Sequence, residues 1–166
     1  MLKQLQKRNQ SGFTIIEVMI VLAIAGVIMM LVFLAIPALQ RNNRNTQYRN
    51  DVANILGYIS EYTSNNNGAL PGSVSVETNG DVLMCTSGSC SAADDKVGTI
   101  RGGTEAEIRD ASGTTFPTTA DTERIVLLQG AQCDGNDIDD SAGSRSVAAA
   151  FQIETANGTE NQCQAN

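Results

Sequence analysis

Between Phe13 and Leu39 only Thr14, Glu17, Gly26 and Pro37 depart from apolar character, and Val18 to Ile36 is a run of nineteen residues broken by Gly26 alone. About twenty apolar residues in a helix cross the hydrocarbon core of a bilayer, whereas a helix on the surface of a soluble domain keeps a polar stripe. The run therefore predicts a membrane-crossing helix over 13–39, with a separate head over 40–166. That head holds seventeen acidic and eight basic residues and only five aromatics, Tyr48, Tyr58, Tyr62, Phe116 and Phe151. So few large side chains leave it a thin core.

Composition excludes several functions. The chain contains no histidine, so a catalytic triad, a histidine metal site and an imidazole base at neutral pH are all missing their usual group. Neither an enzyme nor a cofactor is expected, and no pair of carboxylates stands out to replace the histidine. Nucleic-acid binding rests on neutralising phosphates with Lys and Arg, so the acidic head argues against nucleic acid as the main partner.

Cys85, Cys90, Cys133 and Cys163 all follow the apolar run. An even count without a Cys-x-x-Cys spacing, in a thin-cored anchored head, indicates disulfides formed outside the cytoplasm. Four cysteines allow three pairings. The favoured one joins Cys85 to Cys90 around Thr86-Ser87-Gly88-Ser89 and Cys133 to Cys163, the second closure tying down the C-terminal segment for about 3 to 4 kcal/mol.

Residues 1–12 are short, polar and positive, as in a leader. A secretory signal places its small-residue cleavage site after the apolar stretch, whereas the small-residue junction here, Ser11-Gly12, precedes it. Cleavage there leaves the apolar segment on the mature chain. Gly12-Phe13-Thr14-Ile15-Ile16-Glu17 followed by an apolar helix resembles the class III signal of type IV prepilins, and the short leader with Phe13 resembles the type IVa branch. The resemblance implies cleavage after Gly12 and methylation of Phe13 by a prepilin peptidase. It also implies storage as a single-pass precursor in the inner membrane, then assembly into an extracellular helical homopolymer by a platform protein and ATPases. The roles it brings are twitching motility, adhesion and DNA uptake. Its fold is α+β, a long N-terminal helix packed on a small antiparallel sheet, with paired cysteines near the C-terminus.

Glu17 is the one charge between Phe13 and Leu39, and a carboxylate inside a membrane helix costs roughly 2.5 to 3.5 kcal/mol even on a lenient scale. A neighbouring subunit's Phe13 α-amine, freed by cleavage, would neutralise it and set subunit register. The simpler reading has Glu17 reaching the headgroup layer. Gly26 and Pro37 mark the weakest stretch of the helix, since one lacks a side chain and the other lacks an N–H donor. Pro37 sits about a turn later than the usual kinking proline of the family. Charge bias leaves orientation open, because Lys3, Lys7 and Arg8 before the span are matched by Arg41, Arg44 and Arg49 after it.

In the head, Tyr48, Val52, Ile55, Leu56, Ile59 and Tyr62 recur at helical spacing, predicting an amphipathic helix over about 40–64 that stops at Asn65-Asn66-Asn67-Gly68. Residues 65–122 read as a loop-rich excursion with a hairpin at Asn79-Gly80. Residues 123–166 read as an antiparallel sheet of three or four strands with a turn at Asn157-Gly158, which with Thr159 also fits a glycosylation sequon. Asp134, Asn136, Asp137, Asp139 and Asp140 offer oxygens to calcium, but Ile138 stands where an EF-hand needs a ligand, so a solvated acidic turn is expected and no metal. Two other readings share the N-terminal pattern. A type II secretion pseudopilin is disfavoured by four cysteines, and a minor tip pilin binding a surface or DNA calls for a basic or aromatic patch.

Overall fold

The computed structural model describes residues 12–91, 95–111, 116–117, 120 and 122–166. The leader, apart from Gly12, lies outside them. The chain divides into two compact units, one ending at Gln40 and one beginning at Arg41.

A single helix, α1 (Ile15–Asn65), contributes to both units. It runs without interruption through Gly26 and Pro37. In the first unit every described residue from Gly12 to Gln40 is exposed, including the whole apolar run. In the second unit Tyr48, Val52, Ile55, Leu56 and Ile59 are buried along one face, because residues three and four apart share a side of a helix. The helix stops where Asn67 takes a left-handed φ of 55° and the Gly68 N–H bonds the Thr63 carbonyl at 2.8 Å. This six-residue closure satisfies an end carbonyl and turns the chain out of the helix.

Nine strands follow among the described residues. β1 (Ser73–Val76), β2 (Asp81–Cys85) and β3 (Lys96–Thr99) form a three-stranded antiparallel sheet. β4 (Glu105–Asp110), β5 (Arg124–Gln129), β8 (Val147–Thr155) and β9 (Gly158–Ala165) form a four-stranded sheet in that order, while β6 (Gln132–Asp134) and β7 (Asp137–Asp139) make a hairpin. The fold is thus α+β, one long N-terminal helix packed on antiparallel-rich sheets. Two expectations need correction. The stretch 65–122 is not merely a loop-rich excursion but contains β1 to β4. These strands are short, and β2 carries the apolar run Val82-Leu83-Met84, buried throughout, in place of alternation. The larger sheet is not wholly antiparallel, because β4 runs parallel to β5 with Glu105 opposite Arg124. The intervening residues 111–123 supply the dozen or so that a parallel return requires.

The larger sheet is covered on both faces. Ile125, Leu127, Val147, Ala149, Phe151 and Ile153 join the helix stripe, and the Tyr48 and Phe151 rings meet edge to face at 5.6 Å. Alternate residues Val126, Leu128, Ala148 and Ala150 form a second cluster with Ala111, Ala120 and Ala131, against which Cys133, Ile138 and Cys163 pack. Burial on both faces explains why β5 reads as a continuous apolar run.

Asn79-Gly80 does turn β1 into β2, with the Gly80 N–H bonded to the Glu77 carbonyl at 2.8 Å. Gly80 has φ of 89°, and a Cβ there would lie 2.1 Å from the Ile100 carbonyl oxygen. Gly80→Ala therefore combines a disfavoured φ with a backbone clash, and we expect it to destabilise the head by at least ~2 kcal/mol. Thermal unfolding of the purified protein should show a fall of roughly 5 to 10 °C. An unchanged midpoint would remove the close approach as a constraint. At the other hairpin, Thr155 pairs with Gly158, so Ala156-Asn157 form the turn and Gly158 opens β9.

Candidate processing and assembly segment

Gly12, Phe13 and Thr14 precede the helix, and Phe13 is 89% exposed. The Thr14 backbone N–H donates to Glu17 Oε2 at 2.9 Å, the Thr14 hydroxyl donates to the same oxygen at 2.8 Å, and the Glu17 N–H reaches Thr14 Oγ1 at 3.4 Å. This is a reciprocal capping box, in which Thr14 and Glu17 each satisfy a backbone donor left open at the start of a helix. Glu17 therefore has a partner within its own chain, one turn from the junction. The Thr-x-x-Glu spacing that signals this cap is present at Thr14-Ile15-Ile16-Glu17, and Thr14 is the residue that reading Glu17 as an isolated charge overlooks.

Gly26 and Pro37 lie within the exposed apolar part of α1, where a Cβ on Gly26 would meet nothing within 4 Å. The sulfurs of Cys85 and Cys90 are bonded, as are those of Cys133 and Cys163, which is the pairing favoured from the sequence. Cys133 lies on β6 and Cys163 on β9, opposite Ala150, so the second bridge fastens the β6–β7 hairpin over the small-residue face of the larger sheet.

The acidic residues of the β6–β7 hairpin are engaged by their neighbours. Asp134 and Asp137 pair across the hairpin, Asn136 donates to Glu160 at 3.2 Å, and Asp139 accepts from Gln132 at 2.8 Å and the Ser141 N–H at 2.9 Å. The bonds from Ser141 and Gln132 hold the Asp139 carboxyl below its usual range. No three of the carboxylates Asp134, Asp137, Asp139 and Asp140 converge among the described residues. The group that does, Cys85, Cys90 and Asp95, has both sulfurs committed to the disulfide.

Asp51 was not singled out by the sequence, though it interrupts the apolar stripe beside Val52. It is 6% exposed, receives the Arg101 N–H at 3.4 Å and the Thr104 hydroxyl at 3.5 Å, and lies 3.6 Å from Arg101 Nε. A cleft of about 300 Å³ nearby is lined by Arg44, Asn45, Tyr48, Arg101, Glu123 and Glu154. Its two arginines are matched, Arg101 by Asp51 and Arg44 by Glu154, so it presents no excess of positive charge. Burial pushes the Asp51 carboxyl above its ordinary value, against the lowering effect of Arg101 and Thr104. A carboxyl with a raised folded pKa contributes stability that is fully present below its unfolded value and lost as pH rises through the folded one. Asp51→Asn should thus raise the unfolding midpoint at neutral pH, and the gain should shrink towards the ordinary carboxylate range. Denaturant titrations across that window check it, and a variant less stable than wild type at neutral pH would show that the Arg101 pairing outweighs the burial.

Residues 7–33 match the family model described as the prokaryotic N-terminal methylation motif, a motif typical of type IV pilin class III signal peptides. The match covers the junction, Glu17 and most of the apolar run. No curated protein and no solved structure matches the chain.

Proposed function

We propose that this chain, starting from the methylation motif at its N-terminus, is a type IV pilus subunit: a structural protein that performs no catalysis. It enters the inner membrane as a prepilin, is cleaved after Gly12 by a prepilin peptidase, and polymerises through α1 into a surface filament. The observation that carries the reading is the motif at residues 7–33 continuing into an apolar run of α1 whose side chains are exposed as far as Leu39. The motif and the apolar helix together point to membrane insertion of a type IV pilin-like or pseudopilin precursor. An exposed surface of this size is uncovered in an isolated chain and is satisfied by lipid before assembly and by other copies after it.

The reading predicts a mature chain that begins at Phe13 and carries one N-terminal methyl group. Intact mass and N-terminal sequencing of sheared surface material test both features. A chain that retains Met1, or begins beyond Leu39, would overturn the prepilin reading, while a processed chain absent from surface filaments would assign it to a secretion pseudopilus. Motility, adhesion and DNA uptake are the roles such a filament serves, and two bridged cysteine pairs suit a head exposed outside the cell.

A further inference from the structure

The distribution of charge along α1 is uneven. From Val18 to Asn50 there is no acidic residue, yet Arg41, Arg44 and Arg49 all fall in the last ten positions of that interval, in a head that is otherwise strongly acidic. Arg41 is two residues beyond Leu39 and Arg44 five, which along one helix is about 3 Å and about 7.5 Å past the end of the apolar run. The polar layer of a bilayer extends some 5 to 8 Å beyond its hydrocarbon core. These two side chains, one turn apart, therefore fall within it. Arg44 is exposed and gives one of its five N–H donors to Glu154. Arg41 is half-exposed and has no hydrogen bond or ion pair among the described residues.

We infer that Arg41, with Arg44 beside it, holds the phosphate of an anionic phospholipid headgroup on the side of the membrane where the head lies. A guanidinium presents a planar fork of donors that matches a phosphate, and the apolar stem can lie along lipid while the charged end remains at the headgroup. The acid-free stretch of α1 leaves Arg41 without a paired carboxylate among the described residues, while Glu154 engages one edge of Arg44 and makes it the secondary donor. Arg49 bonds Gln162 at 3.0 Å and lies farther from the apolar run, so it is the lesser contributor. The inference rests on membrane insertion and is independent of whether the mature chain later forms a pilus.

The test uses the full chain in nanodiscs made from equal parts of phosphatidylcholine and phosphatidylglycerol, with native mass spectrometry counting the lipids that remain bound on release. Wild type should retain phosphatidylglycerol in preference. Arg41→Gln should lower that preference by about fivefold, the factor one basic residue contributes near an anionic surface. Arg41→Lys should largely restore it, and Arg109→Gln, which removes the same charge elsewhere on the head, should leave it unchanged. Since Arg41 makes no hydrogen bond or ion pair among the described residues, unfolding midpoints should move little. Equal preference in wild type and Arg41→Gln overturns the inference, as does loss of the bound lipid on adding inorganic phosphate, which would indicate a site for a free anion. If Arg41→Gln instead abolishes chain-to-chain cross-links in phosphatidylcholine alone while lipid retention is unchanged, the partner is a second copy and the lipid assignment is wrong. None of these outcomes depends on processing at Gly12.

Discussion

Glu17→Leu is expected to abolish surface filaments while membrane-fraction levels and cleavage after Gly12 stay near wild type. The substitution makes the span more apolar, so insertion is favoured, and the head is untouched. Loss of the cap at Thr14 costs the helix start about 0.5 to 2 kcal/mol, which the added apolar side chain offsets in a membrane. Polymerisation as proposed differs, because it would bring the Glu17 carboxylate of one copy towards the Phe13 amine of another in surroundings where either charge alone is costly. The capping box gives this prediction a second arm. Glu17→Gln keeps an oxygen that can accept from the Thr14 N–H but has no charge, so it too should fail if charge pairing drives assembly. Sheared filaments, leader processing and membrane levels are compared in both variants. Wild-type filaments from Glu17→Leu would make the residue a bystander, and filaments from Gln but not Leu would assign its role to the cap.

The second large effect is expected from Cys133→Ser with Cys163→Ser, which should lower head stability by ~3 to 4 kcal/mol, against about 2 for Cys85→Ser with Cys90→Ser. The difference follows from separations of thirty and five residues. In a domain whose total stability is some 5 to 15 kcal/mol, the first is a large share. Amide exchange should then rise first in β6, β7 and β9, with β1 to β3 still protected. Denaturant unfolding and exchange measure this, and non-reducing peptide maps check the pairing. A peptide joining Cys85 or Cys90 to Cys133 or Cys163, or equal losses for both double variants, would disprove the account.

What could be read from the sequence was the pattern carried by long periodic segments. The apolar run, the stripe from Tyr48 to Tyr62 and the asparagine-glycine stop all precede any knowledge of the fold. So does the alternation from Val147 to Ile153. β4 was missed although Ala106 and Ile108 alternate with Glu105, Glu107 and Arg109, because two small or medium apolar residues among charges give little signal. The parallel pairing of β4 with β5 was illegible for a different reason, since register across nineteen residues is decided by the packed core and not by neighbours in the chain. At the candidate site, cleavage junction and charge were visible, whereas the Asp51 cluster depends on Arg101 and Thr104 arriving from fifty residues away.

The two-faced burial of β5 and β8 divides their residues by parity. Odd-numbered positions from Ile125 to Leu127 and from Val147 to Ile153 answer to the helix, and even-numbered Val126, Leu128, Ala148 and Ala150 answer to the cystine-fastened hairpin. Each strand is thereby written in two interleaved alphabets: in β8 the helix side carries Val147, Phe151 and Ile153 against Ala148 and Ala150 on the other, whereas β5 sets Ile125 and Leu127 against the equally branched Val126 and Leu128. The outer surface of the hairpin can accordingly drift in sequence without any edit to the letters that seat the helix.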